Sequence, residues 1–156
     1  MSLREEVETL RQIPLFAKVD PSKVKLLAFT SERVTFQPDD VVCQQGEMGD
    51  AAYVIMEGRA DVIVNTPSGP ITVATMQKND VVGEIAILIN IPRTATIKAA
   101  SELTTLRITK DVFFRMINEF PEMSVEMMRV LAERLVRTTE ELQKAKESLQ
   151  KNEENG

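Results

Sequence analysis

Residues Gly83–Thr96 read GEIAILINIPRTAT and hold one carboxylate, Glu84, and one guanidinium, Arg93, in a run that is otherwise apolar or small. The run follows the strand-like pair Val81-Val82. Gly83 lets the chain turn with positive φ, and EIAILIN is then long enough for about two helical turns before Pro92 stops it. The start of such a helix leaves backbone N–H groups unpaired and carries partial positive charge, so the amides near Ile85 and Ala86 suit an anion. Arg93, at the other end of the loop, adds a planar fork matched to two phosphate oxygens. Glu84 repels an anion but accepts well from hydroxyls. Two readings fit the residues alone: an ion pair that closes the loop, or a site for a ligand carrying a phosphate beside a hydroxyl.

Outward from this stretch the chain divides into three zones, read together as a single domain over residues 1–150. Residues 1–30 are a helical lead-in, with Leu3, Val7 and Leu10, then Val24, Leu26 and Leu27, and with Asp20 as N-cap before Pro21. Residues 31–109 are β: RVTFQ, DVVCQ, AAYVIM, RADVIV, ITVATM, TATIKA and TTLRI are short runs rich in Val, Ile and Thr, separated by turn-forming segments such as QQGEMGD and NTPSGP. Their spacing points to an α+β domain built on an eight-stranded β-barrel or jelly roll. Residues 110–150 are helical again, with one helix ending near Phe120 and a longer one opening at Pro121 and running to about Gln150. The polar tail, residues 151–156, is expected to fray.

Bulk composition narrows the function. A chain of 156 residues that is 43% hydrophobic fits one globular core. The net charge of −5 repels phosphate backbones, so no direct nucleic-acid binding is expected. With no histidine and a single cysteine, Cys43, there is no zinc site of the His/Cys type, no disulfide and no bound metal to expect. The commonest general base is missing too, and nothing supports an enzyme. No apolar run approaches the roughly 20 residues of a membrane span, and the N-terminus has no signal-like segment, so the expectation is a soluble cytoplasmic protein.

The stretch GEIAILINIPRTATIKA resembles the phosphate-binding cassette of the cyclic nucleotide-binding domain family, in G-E-x-A-I followed by P-R-T-A-T. Upstream, GEMGDAAYVIMEGRADV is similar to the hairpin that precedes the cassette, and IPLFAKVDPSKVKLLA to the helical lead-in. The resemblance runs from about Pro14 to Leu142. It implies a jelly roll of the double-stranded β-helix type with a short cassette helix and a long C-terminal helix, and a cyclic nucleotide as ligand. By this resemblance Glu84 accepts from the ribose 2′-hydroxyl and Arg93 pairs the exocyclic phosphate oxygens. Gly83 permits the close turn, and the amides of Ile85, Ala86 and Ala95 complete the phosphate cage. Thr94 bears a hydroxyl able to reach the phosphate or, with a syn purine, the 2-amino group of guanine. Val73 and Met76 either pack on sugar and base or belong to the core.

The run AERLVRTTEEL resembles the dimerisation helix of the catabolite activator protein branch, which offers two adjacent hydroxyls to the adenine amino group. Thr138 and Thr139 match those positions, and two neighbouring threonines are poor helix formers. They read as base-recognition residues favouring cAMP over cGMP, or as ordinary exposed or seam residues. Leu131, Leu135, Thr138, Leu142, Ala145 and Leu149 follow a heptad spacing, which fits a homodimer seam or a stripe packed on the helix's own domain. Past that helix the chain carries no helix-turn-helix. The favoured reading is a cAMP-binding regulatory module that signals through its C-terminal helix. The alternatives are a cGMP-binding or dual-specificity domain excised from a channel or transcription factor, and a non-binding dimeric scaffold.

Overall fold

The computed structural model describes residues 2–155. Two helices, α1 (Leu3–Arg11) and α2 (Pro21–Thr30), lead in, each started by a side-chain cap. The Ser2 hydroxyl accepts from the Glu5 N–H at 3.2 Å, and the Asp20 carboxylate accepts from the Ser22 N–H at 2.9 Å ahead of Pro21 at the first turn. Eight strands follow: β1 (Glu32–Phe36), β2 (Val41–Cys43), β3 (Ala51–Glu57), β4 (Arg59–Thr66), β5 (Gly69–Gln77), β6 (Val81–Val82), β7 (Thr96–Ala99) and β8 (Leu103–Thr109). A short helix, α3 (Glu84–Leu88), interrupts them, and α4 (Lys110–Glu119) and α5 (Pro121–Asn155) end the chain.

The strands form two antiparallel sheets ordered β1-β8-β3-β6 and β2-β7-β4-β5. They do not close into a barrel, one of the two architectures the sequence suggests. The edges include β2, of three residues, and β6, of two, too short to carry a ladder from one sheet to the other. The result is a two-sheet roll.

β3 explains how the layers stack. Ala51 to Met56 are all buried, and since a strand alternates its side chains, an apolar residue at every position needs cover on both faces. Ala51, Tyr53 and Ile55 meet Cys43, Ala60, Ile97 and Ala99 in a core between the sheets. Ala52, Val54 and Met56 face the other way, into a larger core with Phe16, Leu27, Phe113, Met116 and Met123 from the helices. The two residues of β6 divide likewise, Val81 toward the helices and Val82 toward the inter-sheet core.

Two helix ends differ from the sequence reading. α3 is five residues long, short of two turns, because Asn90 adopts a positive φ of 52° and the Ile91 N–H returns to the Ala86 carbonyl before Pro92 is reached. α5 continues through Asn155 rather than fraying after Gln150, since no Gly or Pro interrupts residues 122–155 and its Lys, Gln and Glu are good helix formers. Its first turns pack through Met123 and Met127. There Glu126, almost buried, accepts from Lys18 at 3.1 Å and Arg129 at 2.7 Å, tying the α1–α2 connection to the long helix. Beyond Arg134 every described residue of α5 is exposed. No helix among the described residues is long and apolar enough to cross a membrane.

Candidate ligand-binding site

Gly83 caps α3 with φ 82° and ψ 3°, the left-handed geometry that glycine adopts without steric penalty. This corner turns the chain from β6 into α3 and places Glu84 as the first helical residue. The chain returns through Pro92 and Arg93, whose backbone is fixed by the β2–β3 connection: the Arg93 N–H donates to the Glu47 carbonyl at 2.7 Å, and the Gly46 N–H donates to the Arg93 carbonyl at 2.9 Å. Thr96 reinforces the same join, its hydroxyl accepting from the Gln45 N–H at 3.0 Å.

Arg93 is 6% exposed, and a charge so buried needs partners. Its guanidinium donates to the Gly83 carbonyl at 2.6 Å and the Ala51 carbonyl at 2.7 Å, with the exposed Asp50 carboxylate at 3.8 Å. Two backbone carbonyls from separate elements therefore fix the plane of the fork, leaving other guanidinium N–H groups for a ligand. The neighbouring glycines make room. A Cβ on Gly83 would sit 2.5 Å from Arg93 Nη1, and one on Gly49 would sit 2.9 Å from the Ala86 Cβ.

Glu84 does not pair with Arg93. At 2% exposure its carboxylate accepts from Arg134 Nη1, while Arg134 Nη2 donates to the Val81 carbonyl at 2.7 Å. Burial pushes the Glu84 carboxyl above the usual carboxylate range, and the Arg134 charge pulls it back.

A cavity of about 110 Å³ opens at this junction, walled by the Gly83–Ala86 corner, by Arg93, Thr94 and Ala95, by Met76 of β5 and by Arg134 of α5. Gly83, Glu84, Ile85, Ala86, Arg93, Thr94, Ala95 and Met76 are thus brought together as the sequence suggests. Val73 is not: it falls where the β4–β5 register jumps from Val62↔Ala74 to Ile63↔Thr72, and it is half exposed away from the cavity wall. Thr138 and Thr139 are also outside the wall, exposed on α5 one turn beyond Arg134. The sequence reading missed Val62, Val82 and Ile97, which form apolar wall, and Arg134, which carries charge. A signal for Arg134 existed, since it lies four residues before Thr138 and so on the same face of the helix. No group of three or more His, Cys, Asp or Glu side chains suited to a metal ion occurs among the described residues.

A buried carboxylate and a buried guanidinium framing one small cavity beside a glycine-capped helix start define a binding domain for a small ligand. The sequence matches the family described as cyclic nucleotide-binding domain over residues 33–120. It is 32% identical over 136 residues to a CRP-like cAMP-activated global transcriptional regulator of Mycobacterium tuberculosis, covering 86% of this chain and 61% of that protein. Identity to a cAMP-dependent protein kinase regulatory subunit of Yarrowia lipolytica is 32% over 108 residues, 69% of this chain and 28% of that one. The fold resembles that of the Thermus thermophilus catabolite activator protein, with a TM-score of 0.75 at 24% identity over 83% of this chain and 61% of that one. The chain belongs to the cyclic nucleotide-binding domain family. It spans less than two thirds of the length of these curated relatives.

The Gly83→Ala variant combines a left-handed backbone with a Cβ pressed on Arg93. It is expected to lose about 1–3 kcal/mol of stability in urea unfolding. A loss below about 0.5 kcal/mol, the scale of a neutral surface change, would show that this corner tolerates a side chain.

Proposed function

We propose that the chain is a cAMP-binding regulatory module, a single domain over residues 1–150, acting in the cytoplasm and signalling through α5 rather than by catalysis. The observation that carries this reading is the arrangement of Arg93 and Glu84. Both are buried, on one cavity, held by different partners, and so are free to serve different parts of a ligand. Arg93 and the amides of Ile85, Ala86 and Ala95 receive the cyclic phosphate, Gly83 allows the close approach, and Glu84 accepts from the ribose hydroxyl. Met76 and the apolar wall pack on sugar and base. The names of the Mycobacterium and Yarrowia relatives, both of which include cAMP, support that ligand. Thr94 on the cavity wall supports cGMP as a second reading.

The exposed leucines of α5 support a homodimer. Leu135 is 67% exposed, Leu142 54% and Leu149 63%, while Leu131 packs partly on the core. The distal seam therefore does not serve the helix's own domain, and a second copy covers it in the proposed assembly. In that pairing Thr138 and Thr139 come to the base from the dimer seam.

Calorimetric titration of cAMP and cGMP tests the ligand: the wild type binds cAMP more tightly, and failure to bind either nucleotide below millimolar concentration refutes the function. The Arg93→Ala variant is expected to lose about 2–5 kcal/mol of binding, since the phosphate loses a charge-assisted partner in a buried site. Unchanged affinity would remove Arg93 from the site. Joint replacement of Thr138 and Thr139 by alanine weakens cAMP selectively, whereas an equal loss for both nucleotides argues against base recognition. Sedimentation velocity on Leu142→Asp should report a monomer where the wild type is a dimer; a persisting dimer places the interface elsewhere.

A further inference from the structure

β7 begins at Thr96, and its ladder with β4 stops at the same place, at the pair Ile63↔Thr96. β4 itself runs on to Thr66, so its outer end has lost the strand on that side. In an antiparallel ladder every second residue turns its N–H and C=O to the same neighbour. The Ala100 N–H donates to the Arg59 carbonyl at 3.0 Å, so Arg59, Asp61, Ile63 and Asn65 are the residues of β4 that face β7, and the next rung would join Asn65 to Thr94. A side chain makes that rung instead. The Asn65 N–H donates to Gln45 Oε1 at 2.8 Å, while Thr94 and Ala95 turn away to wall the cavity. β7 sets Gln45 in place for this, since the Gln45 N–H donates to the Thr96 hydroxyl at 3.0 Å. The residues that follow, Gly46 and Glu47, hold the carbonyl and the N–H of Arg93.

We propose that Gln45 is a positioning residue of this site: its side-chain carbonyl fills the rung of the β4 ladder that Thr94 vacates, and so lets residues 93–95 leave the sheet and face the ligand. The inference rests on the cyclic nucleotide reading and adds to it a residue outside the cavity wall. Gln45 joins the two sides of that wall. Its backbone belongs to the loop that fixes Arg93, on the side proposed for the phosphate. Its side chain holds the hairpin of β4 and β5, which supplies Val62 and Met76 to the apolar side. Without that acceptor the Asn65 N–H opens to water, and the hairpin and the 93–95 segment lose their common support. The task needs an acceptor at the reach of a glutamine. Glutamate keeps both, asparagine keeps the amide but is one methylene short, and methionine keeps the length with only a weak acceptor.

The experiment compares wild type with Gln45→Met, Gln45→Asn and Gln45→Glu. Affinity for cAMP is measured by calorimetry in about 0.3 M salt, which screens the charge that the glutamate adds. Amide exchange is followed residue by residue by NMR without nucleotide. In Gln45→Met and Gln45→Asn the Asn65 amide should exchange faster than in wild type and the Thr94 and Ala95 amide signals should shift, while the core amide of Val54 exchanges as before. Both variants should bind cAMP about 3- to 10-fold more weakly, the scale of one neutral hydrogen bond. Gln45→Glu should return the Asn65 exchange rate and the affinity to wild-type values. A residue that only stiffened the domain would speed exchange at Val54 as well, and glutamate would not rescue its loss. Wild-type affinity in the Met and Asn variants overturns the proposal, as does unchanged Asn65 exchange in them or a Glu variant that behaves as they do. Should Gln45→Met not fold, Gln45→Asn decides by the same readings. A wild type that binds no cyclic nucleotide refutes the ligand reading instead, and the Asn65 exchange with the Thr94 and Ala95 signals still decides whether Gln45 fills the rung.

Discussion

A guanidinium and a carboxylate buried in an apolar domain must each be given partners, and much of the molecule is arranged to supply them. Arg93 takes the carbonyls of Ala51 and Gly83, which requires β3 to begin beside the β6–α3 corner and requires that corner to lack a side chain. Glu84 takes Arg134, which requires α5 to cross the mouth of the same corner. The two charges sit on one cavity without neutralising each other. Had they paired directly, neither would be left to meet a ligand, and the loop would be closed by an ordinary ion pair.

That separation of partners links the strands to the long helix. β3 is covered on both faces, with a core on either side of it. It anchors Arg93 through Ala51 at its first residue. α5 is constrained only over its first turns, by Met123, Met127 and the Lys18–Glu126–Arg129 cluster, and then leaves the body of the domain. Arg134 marks the change from one regime to the other. The doubly covered strand and the outgoing end of the long helix are thus each tied to one of the two charges on the cavity.

Local chemistry made most of the fold legible. Asp20-Pro21 announces α2, the β-branched runs mark the strands, and Gly83, Glu84 and Arg93 mark the corner, because each signal depends on residues a few positions apart. The relation of Glu84 to Arg134 spans 50 residues and three elements, and no local pattern encodes it. Val73 shows the same limit on a smaller scale, since the bulge that moves it off the cavity depends on how β4 pairs with β5. The distinction between a closed barrel and two sheets rests on edge strands of two and three residues, whose hydrogen bonding is not written in their composition. The end of α3 turns on Asn90 accepting a left-handed backbone before Pro92 is reached.

Cys43 lies between the two sheets, against Tyr53 and Ile97, at the end of the three-residue edge strand β2. Burial pushes its thiol up to about 11, so near neutral pH almost none of it is the reactive thiolate, and the sheets shield what there is. Alkylation at this position therefore has to wait for β2 to part from β7. The protein's only cysteine is in consequence a built-in clock for the opening of its roll, reading the parting of an edge strand and needing no introduced label.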